Sequence, residues 1–176
     1  MKKYEFTGET KAFNGTTLHR IRALKDFGYV EAGDLGGWIE KEENLSHDGR
    51  CWVYGTARVY GDAQVSGDAW VSDDARVSGN AQVSGYARVF GNAWVAGDAE
   101  IKAPKDTFWI SAIGSRYGTT TFFRCADGKV RVTCGCFYGD LDEFLAKVEK
   151  THGDNKHGRV YKKAVELAKI QMEEDV

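Results

Sequence analysis

Three sets of side chains in this 176-residue sequence have the types and spacing to do chemistry. The first is a ladder of tryptophans and arginines. Trp52, Trp70 and Arg88 recur at one 18-residue interval, Arg58, Arg76 and Trp94 at another, with Tyr54, Tyr60, Tyr86 and Phe90 close by in sequence. A guanidinium offers a planar fork of donors to carboxylate or phosphate, and an aromatic ring adds stacking and cation–π attraction. The same residue types anchor protein interfaces. Trp52, Arg58, Trp70, Arg76, Arg88, Phe90 and Trp94 are therefore read as binding residues, facing either a protein or an anionic, stackable small molecule. The plainer alternative is that these rings bury against the rest of the chain or a second subunit.

The second set is the four histidines, His19, His47, His152 and His157, each a potential general base. His47 is expected to point into the end of a repeat array, and His152 to sit at a helix C-terminus, where a cation is favoured. No catalytic residue is assigned. The third set, Cys125, Cys134 and Cys136, has zinc-ligand chemistry. Cys-Gly-Cys is nevertheless not the Cys-x2-Cys knuckle, and buried free cysteines are common, so no metal or other cofactor is assigned. Gly33 to Gly37 lacks the Gly-Lys-Ser/Thr of a phosphate loop and reads as a turn.

The elements that would position these groups are dominated by internal repetition. From Gly49 the chain reads GRCWVY, GTARVY, GDAQVS, GDAWVS, DDARVS, GNAQVS, GYARVF, GNAWVA, GDAEIK. In Ala93-Trp94-Val95, strand alternation sends Ala93 and Val95 inward and Trp94 outward. Gly with Asp or Asn then supplies corners whose backbone angles exclude β-branched residues. Three corners close a triangular coil, and stacked coils make a short left-handed parallel β-helix of three coils over residues 49–102. A slip of one residue would expose the valines, so the register is firmly specified. Outward residues fall on three faces, of which only Gln64, Gln82 and Glu100 look made for water.

Residues 1–48 are expected to form an N-terminal hairpin and cap, turning at Asn14-Gly15. Between Gly37 and Asp48 the hexapeptide register persists in degenerate form, with Ile39 and Leu45 at alanine positions and His47 at a valine position. Residues 103–176, beyond the single proline Pro104, are expected to form a ββαα module. Its strands are read at residues 108–112, 119–125 and 129–134, and its first helix begins at the capping-box pair Asp140 and Glu143. The fold class is thus mainly β: a β-helix with an N-terminal hairpin cap and a C-terminal ββαα module.

Bulk properties exclude several classes. No run approaches the roughly 18 apolar residues of a membrane span, and Met1-Lys2-Lys3-Tyr4-Glu5 has no apolar stretch of a signal peptide. A net charge of −2 gives no general pull toward nucleic acid or membrane, and neither is expected as a partner. Four unevenly spaced cysteines make no disulfide framework, which points to a cytoplasmic setting.

The repeats resemble those of the hexapeptide-repeat superfamily, whose best-known members are trimeric acyltransferases using acyl-coenzyme A. The whole chain is more similar to phage- and prophage-encoded hexapeptide proteins. Thr17 to Leu24, Gly33 to Glu40, and the tail with Phe122-Phe123-Arg124, Cys134-Gly-Cys136 and Thr151-His152-Gly153 carry that resemblance. The superfamily's enzymes need a histidine near the coil surface and an excursion loop, and the nine repeats contain neither. The expectation is a non-enzymatic phage accessory protein, with a possible anti-defence role, in the host cytoplasm. It would bind a host protein or sequester a nucleotide-like anion, and would form a homo-oligomer, a trimer or dimer. The alternatives are an acyltransferase and a structural virion component.

Overall fold

The computed structural model describes residues 2–173. Two long strands, β1 (Tyr4–Phe13) and β2 (Thr16–Ala23), lead to β3 (Leu35–Ile39). Nine two-residue strands follow, one per repeat: β4 (Trp52–Val53), β5 (Arg58–Val59), β6 (Gln64–Val65), β7 (Trp70–Val71), β8 (Arg76–Val77), β9 (Gln82–Val83), β10 (Arg88–Val89), β11 (Trp94–Val95) and β12 (Glu100–Ile101). The tail holds β13 (Thr107–Ile113), β14 (Gly118–Arg124), β15 (Val130–Cys134), β16 (Phe137–Asp140), α1 (Leu141–His152) and α2 (Lys156–Gln171). Among the described residues no helix is long and apolar enough to cross a membrane.

The repeats stack in parallel at a fixed offset. Trp52 pairs with Trp70, Arg58 with Arg76 and Gln64 with Gln82, and the next coil continues each series to Arg88, Trp94 and Glu100. Every alanine and valine at the two inward positions of the repeats lies inside, at most 1% exposed. The result is the expected left-handed β-helix, here of about four turns. Its corner glycines sit at φ from 58° to 70°, and at Gly49 a side chain would also strike the Gly67 carbonyl oxygen of the next coil. Asp73 takes the same left-handed angle (φ 58°). Its carboxylate there accepts the Gly91 amide at 2.9 Å, a local bond that makes aspartate tolerable in this region.

The extra turn comes from the N-terminal segment and corrects the phase expected for it. Ile39 pairs with Val59 and Leu45 with Val65, so both occupy valine positions rather than alanine positions. The corner between Leu45 and Val53 is two residues longer than the others, which shifts everything before it. His47 falls in that long corner and does not enter the interior. It is half-buried, stacks on Tyr4 at 4.3 Å, and accepts the Lys3 amide at Nδ1.

Lys3 itself helps to plug this end. Its side chain is fully buried, and Nζ donates to the Cys51 carbonyl (2.9 Å) and meets the Cys51 thiol (3.2 Å). Burial pushes the Lys3 pKa below its ordinary value, while the Cys51 thiol opposes the shift.

Both ends of the β-helix carry the same small device. At the first end the fully buried Asn44 accepts the Glu40 and Lys41 amides through Oδ1 (3.1 and 2.9 Å). Its Nδ2 donates to the Gly61 and Ala63 carbonyls (3.0 and 2.8 Å). At the other end Asp106 accepts the Lys102 and Ala103 amides (2.9 and 2.8 Å). Each device closes a one-turn 3-10 helix, 42–44 and 104–106. Buried backbone groups must be paired, and these two side chains do it where the stacking stops.

The hairpin turns at Asn14-Gly15, both at positive φ, and extends one face into a six-stranded sheet ordered β1-β2-β3-β5-β8-β11. In the tail, β13-β14-β15-β16 form one antiparallel sheet. That sheet has four strands, one more than the three read at 108–112, 119–125 and 129–134. The strand at 137–140 was missed because Phe137-Tyr138-Gly139-Asp140 is short and contains a glycine, while a turn at Asp127-Gly128 joins β14 to β15. The helices pack through Phe144, Val148, Ala164, Val165, Ala168 and Met172 onto Phe122 and Val132. Asp140 caps α1 in a reciprocal box with Glu143, as expected.

The tail also closes an exposed edge. β11 ends its sheet, and an unpaired strand edge invites further strand addition. Here Thr121 Oγ1 accepts the Trp94 amide (3.0 Å), and Thr133 Oγ1 donates to the Trp94 carbonyl (2.6 Å).

Candidate functional site

The seven residues read as a binding ladder separate into three places. Trp52 is no surface residue. It is 1% exposed and enclosed by Tyr4 and Phe27, whose rings meet it edge-on at 6.1 and 5.3 Å. The N-terminal segment covers it, so it belongs to the core and not to a site. Arg58, Arg76 and Trp94 stay together on the face shared by β5, β8 and β11. Trp70, Arg88 and Phe90 lie on the next face, in the sheet β10-β7-β4.

The first of these faces carries more charge than the repeats indicated. The hairpin brings Lys11 and Arg20 onto it, and β3 adds Trp38. Lys11 lies over the Trp38 ring at 4.1 Å and Arg20 over the same ring at 5.5 Å. Arg58 lies over Phe13 at 4.7 Å and Arg76 over Trp94 at 5.0 Å. Four cations thus share one sheet face, held by rings rather than by carboxylates. Glu9 approaches Arg20 only to 3.9 Å, and among the described residues Arg58 and Arg76 have no ion pair. The Nε–H groups of Arg20 and Arg58 are buried and donate to no acceptor among the described residues. Burial, together with the charges of Arg58 and Arg20, holds the Lys11 pKa below its ordinary value. A lysine depressed partly by like charge marks a locally positive field.

Beside this ladder runs a groove of about 410 Å³ between the β-helix and the tail sheet, lined by Arg76, Asn92, Trp94, Tyr117, Thr119 and Thr133. Trp94 is half-buried, its indole N–H donating to Ser78 at 3.0 Å, and Tyr117 is 76% exposed with φ 49°. A positive φ on an aromatic residue is costly, and such strain collects at binding and catalytic sites. Two rings and a free guanidinium therefore border one groove.

The second face is smaller. Arg88 lies 4.5 Å over Trp70, and Phe90 meets Trp109 edge-on at 4.4 Å. Trp70, Ser72, Arg88 and Phe90 line a cleft of about 220 Å³.

Sequence reasoning missed Lys11, Arg20, Trp38 and Tyr117. Of these only Trp38 carries a signal, the six-residue spacing of Ile39 and Leu45, which places it beside Arg58 once the long corner is recognised. The histidines lie elsewhere. His19 stacks on Phe6 at 4.8 Å, and none lines the groove. Among the described residues no three His, Cys, Asp or Glu side chains converge as metal ligands. Cys125 is buried, its thiol pushed up to about 11 chiefly by that burial, and Cys134 faces Tyr161.

The stacked coils define a repeat β-helix protein, and residues 57–73, 63–79 and 69–85 match the YdcK beta solenoid repeat family. A curated relative, "Uncharacterized acetyltransferase YdcK" of Escherichia coli (strain K12), is 42% identical over 62 residues. The match covers 31% of this chain and 19% of the relative, so the chain spans about a fifth of that protein's length.

Proposed function

We propose that this chain is a binding protein whose Lys11–Arg20–Arg58–Arg76 face and adjoining groove hold an anionic ligand with a stackable ring, such as a nucleotide. The observation that carries this is the set of four cations with a single long ion pair among them. Phosphate would take the guanidinium donors that the protein leaves unpaired, and Trp94 and Tyr117 would flank the base. With the resemblance of residues 17–24 and 33–40 to phage-encoded proteins, the setting we infer is the host cytoplasm, and the role is sequestration of a host nucleotide. The Trp70, Arg88 and Phe90 face, with Tyr86 and Tyr29 70% and 83% exposed, would make the subunit contacts of a dimer or trimer.

Calorimetry against mononucleotides, cyclic dinucleotides and inorganic phosphate tests the ligand. Arg58→Ala with Arg76→Ala should weaken nucleotide binding by about a hundredfold, roughly 2.7 kcal/mol, with the unfolding midpoint little changed. Equal affinity in the double variant would remove this face from consideration. Sedimentation at micromolar concentration tests the assembly, and a monomer there would count against it.

The second reading is acyl transfer. It rests on the relative's name and on the repeats, and it requires a base that the coils do not provide. Coenzyme A release in the presence of acceptor amines, lost on replacing His19 or His47, would favour it over ligand binding.

A further inference from the structure

A second cavity, of about 240 Å³, lies wholly within the tail. Its inner wall is apolar: Phe137 and Phe144 meet at 5.3 Å, Phe144 meets Tyr161 edge-on at 5.6 Å, and Val148 is 3% exposed. Three of its lining residues, Arg116, Lys147 and His152, are cationic or can become so, and no carboxylate lines it. Among the described residues neither Arg116 nor Lys147 has an ion pair, although Lys162 and Lys163 on the neighbouring helix are both paired. Unpaired cations beside an aromatic wall are a combination that serves a ligand better than it serves folding.

The turn that carries Arg116 is held in place at a cost. Tyr117 has φ 49°, and Gly114 has φ 74° in contact with the Tyr161 hydroxyl, where any side chain would collide. Burial, with Cys134 alongside, pushes the Tyr161 hydroxyl on the cavity lining up to about 12, and that oxygen accepts from the Cys134 thiol at 3.8 Å. Thr119 and Thr151 add two further hydroxyls.

We propose that this tail cavity binds a small organic anion, its carboxylate or phosphate set among Arg116, Lys147 and His152 and its apolar body against Phe137 and Phe144. The site is separate from the β-helix ladder, sharing with its groove only Gly118, Thr119 and Gly135.

Cys136, exposed on the cavity lining, is a built-in reporter. Its alkylation by iodoacetamide, followed by peptide mass spectrometry in the full chain, can be measured with 4-phenylbutyrate, its neutral amide or phenyl phosphate present. The acids should protect Cys136 saturably, and the amide should need at least about tenfold higher concentration. Protection by either acid supports the site, and their ratio assigns the head group. Arg116→Ala with Lys147→Ala should raise the half-protecting concentration of the acids by about tenfold or more, with the unprotected labelling rate unchanged. Equal protection by acid and amide, or none by any probe at millimolar concentration, would overturn the proposal. The acid–amide comparison needs no variant, so it stands even if the double substitution fails to fold.

Discussion

Asn44→Leu is expected to destabilise the protein by about 4 kcal/mol, more than any exposed substitution in the chain. Leucine keeps the branched outline of asparagine but is bulkier, so some overpacking adds to a loss that lies chiefly in hydrogen bonding. The change strands the Lys41 amide and the Gly61 and Ala63 carbonyls, and leaves the Glu40 amide only its bond to the Val59 carbonyl. Each buried polar group left without a partner costs about 1–3 kcal/mol, and relaxation toward water recovers part of the sum. Urea unfolding should show a lower midpoint with the slope preserved, the pattern of lost stability without lost cooperativity. A shift worth less than about 1 kcal/mol would mean that the first turn is not tied to the repeats through this side chain.

Two tryptophans at equivalent repeat positions should behave as if they came from different proteins. Trp52→Ala is expected to cost about 4 kcal/mol, the range of a buried aromatic deleted from a core. Gly36 leaves no slack around the ring, since a Cβ there would approach it to 2.7 Å, so little collapse can fill the void. Trp70→Ala, at a half-buried position beneath Arg88, should cost about 1 kcal/mol and act mainly on assembly. Thermal unfolding of the two variants side by side decides the matter. Equal losses would contradict the enclosure of Trp52 by Tyr4 and Phe27.

That contrast shows where the sequence is readable and where it is not. The period of six states which residues turn inward, because inward and outward positions alternate along a strand and a slip would bury the wrong set. Nothing in the repeat states what lies over an outward residue. Trp52 and Trp70 have the same phase and each is followed by a valine, and only the packing of Tyr4 and Phe27 separates them. The cation ladder was half legible for a similar reason. Arg58 and Arg76 recur inside the repeats, whereas Lys11 and Arg20 reach the same face through a hairpin with no periodicity of its own. Trp38 was hidden by the two extra residues before Val53, which throw the hexapeptide count out of step. In the tail the capping box at Asp140 was visible because it is local, and the cavity beside Cys136 was not, because α1, α2 and three strands build it together.

The matched terminal plugs have a bearing on how such a protein can change length. Asn44 and Asp106 lie outside the nine repeats, and every strand partner inside them is one coil away. Removing or duplicating one complete coil would leave each lid seated on the same kind of surface, and the edge at Trp94 would still find Thr121 and Thr133. Length is therefore a setting that can be altered in whole increments of about 4.8 Å without redesigning either terminus. Each increment would also add or subtract one rung of the Arg58–Arg76–Trp94 ladder, so the body that supports the proposed ligand face is also its gauge.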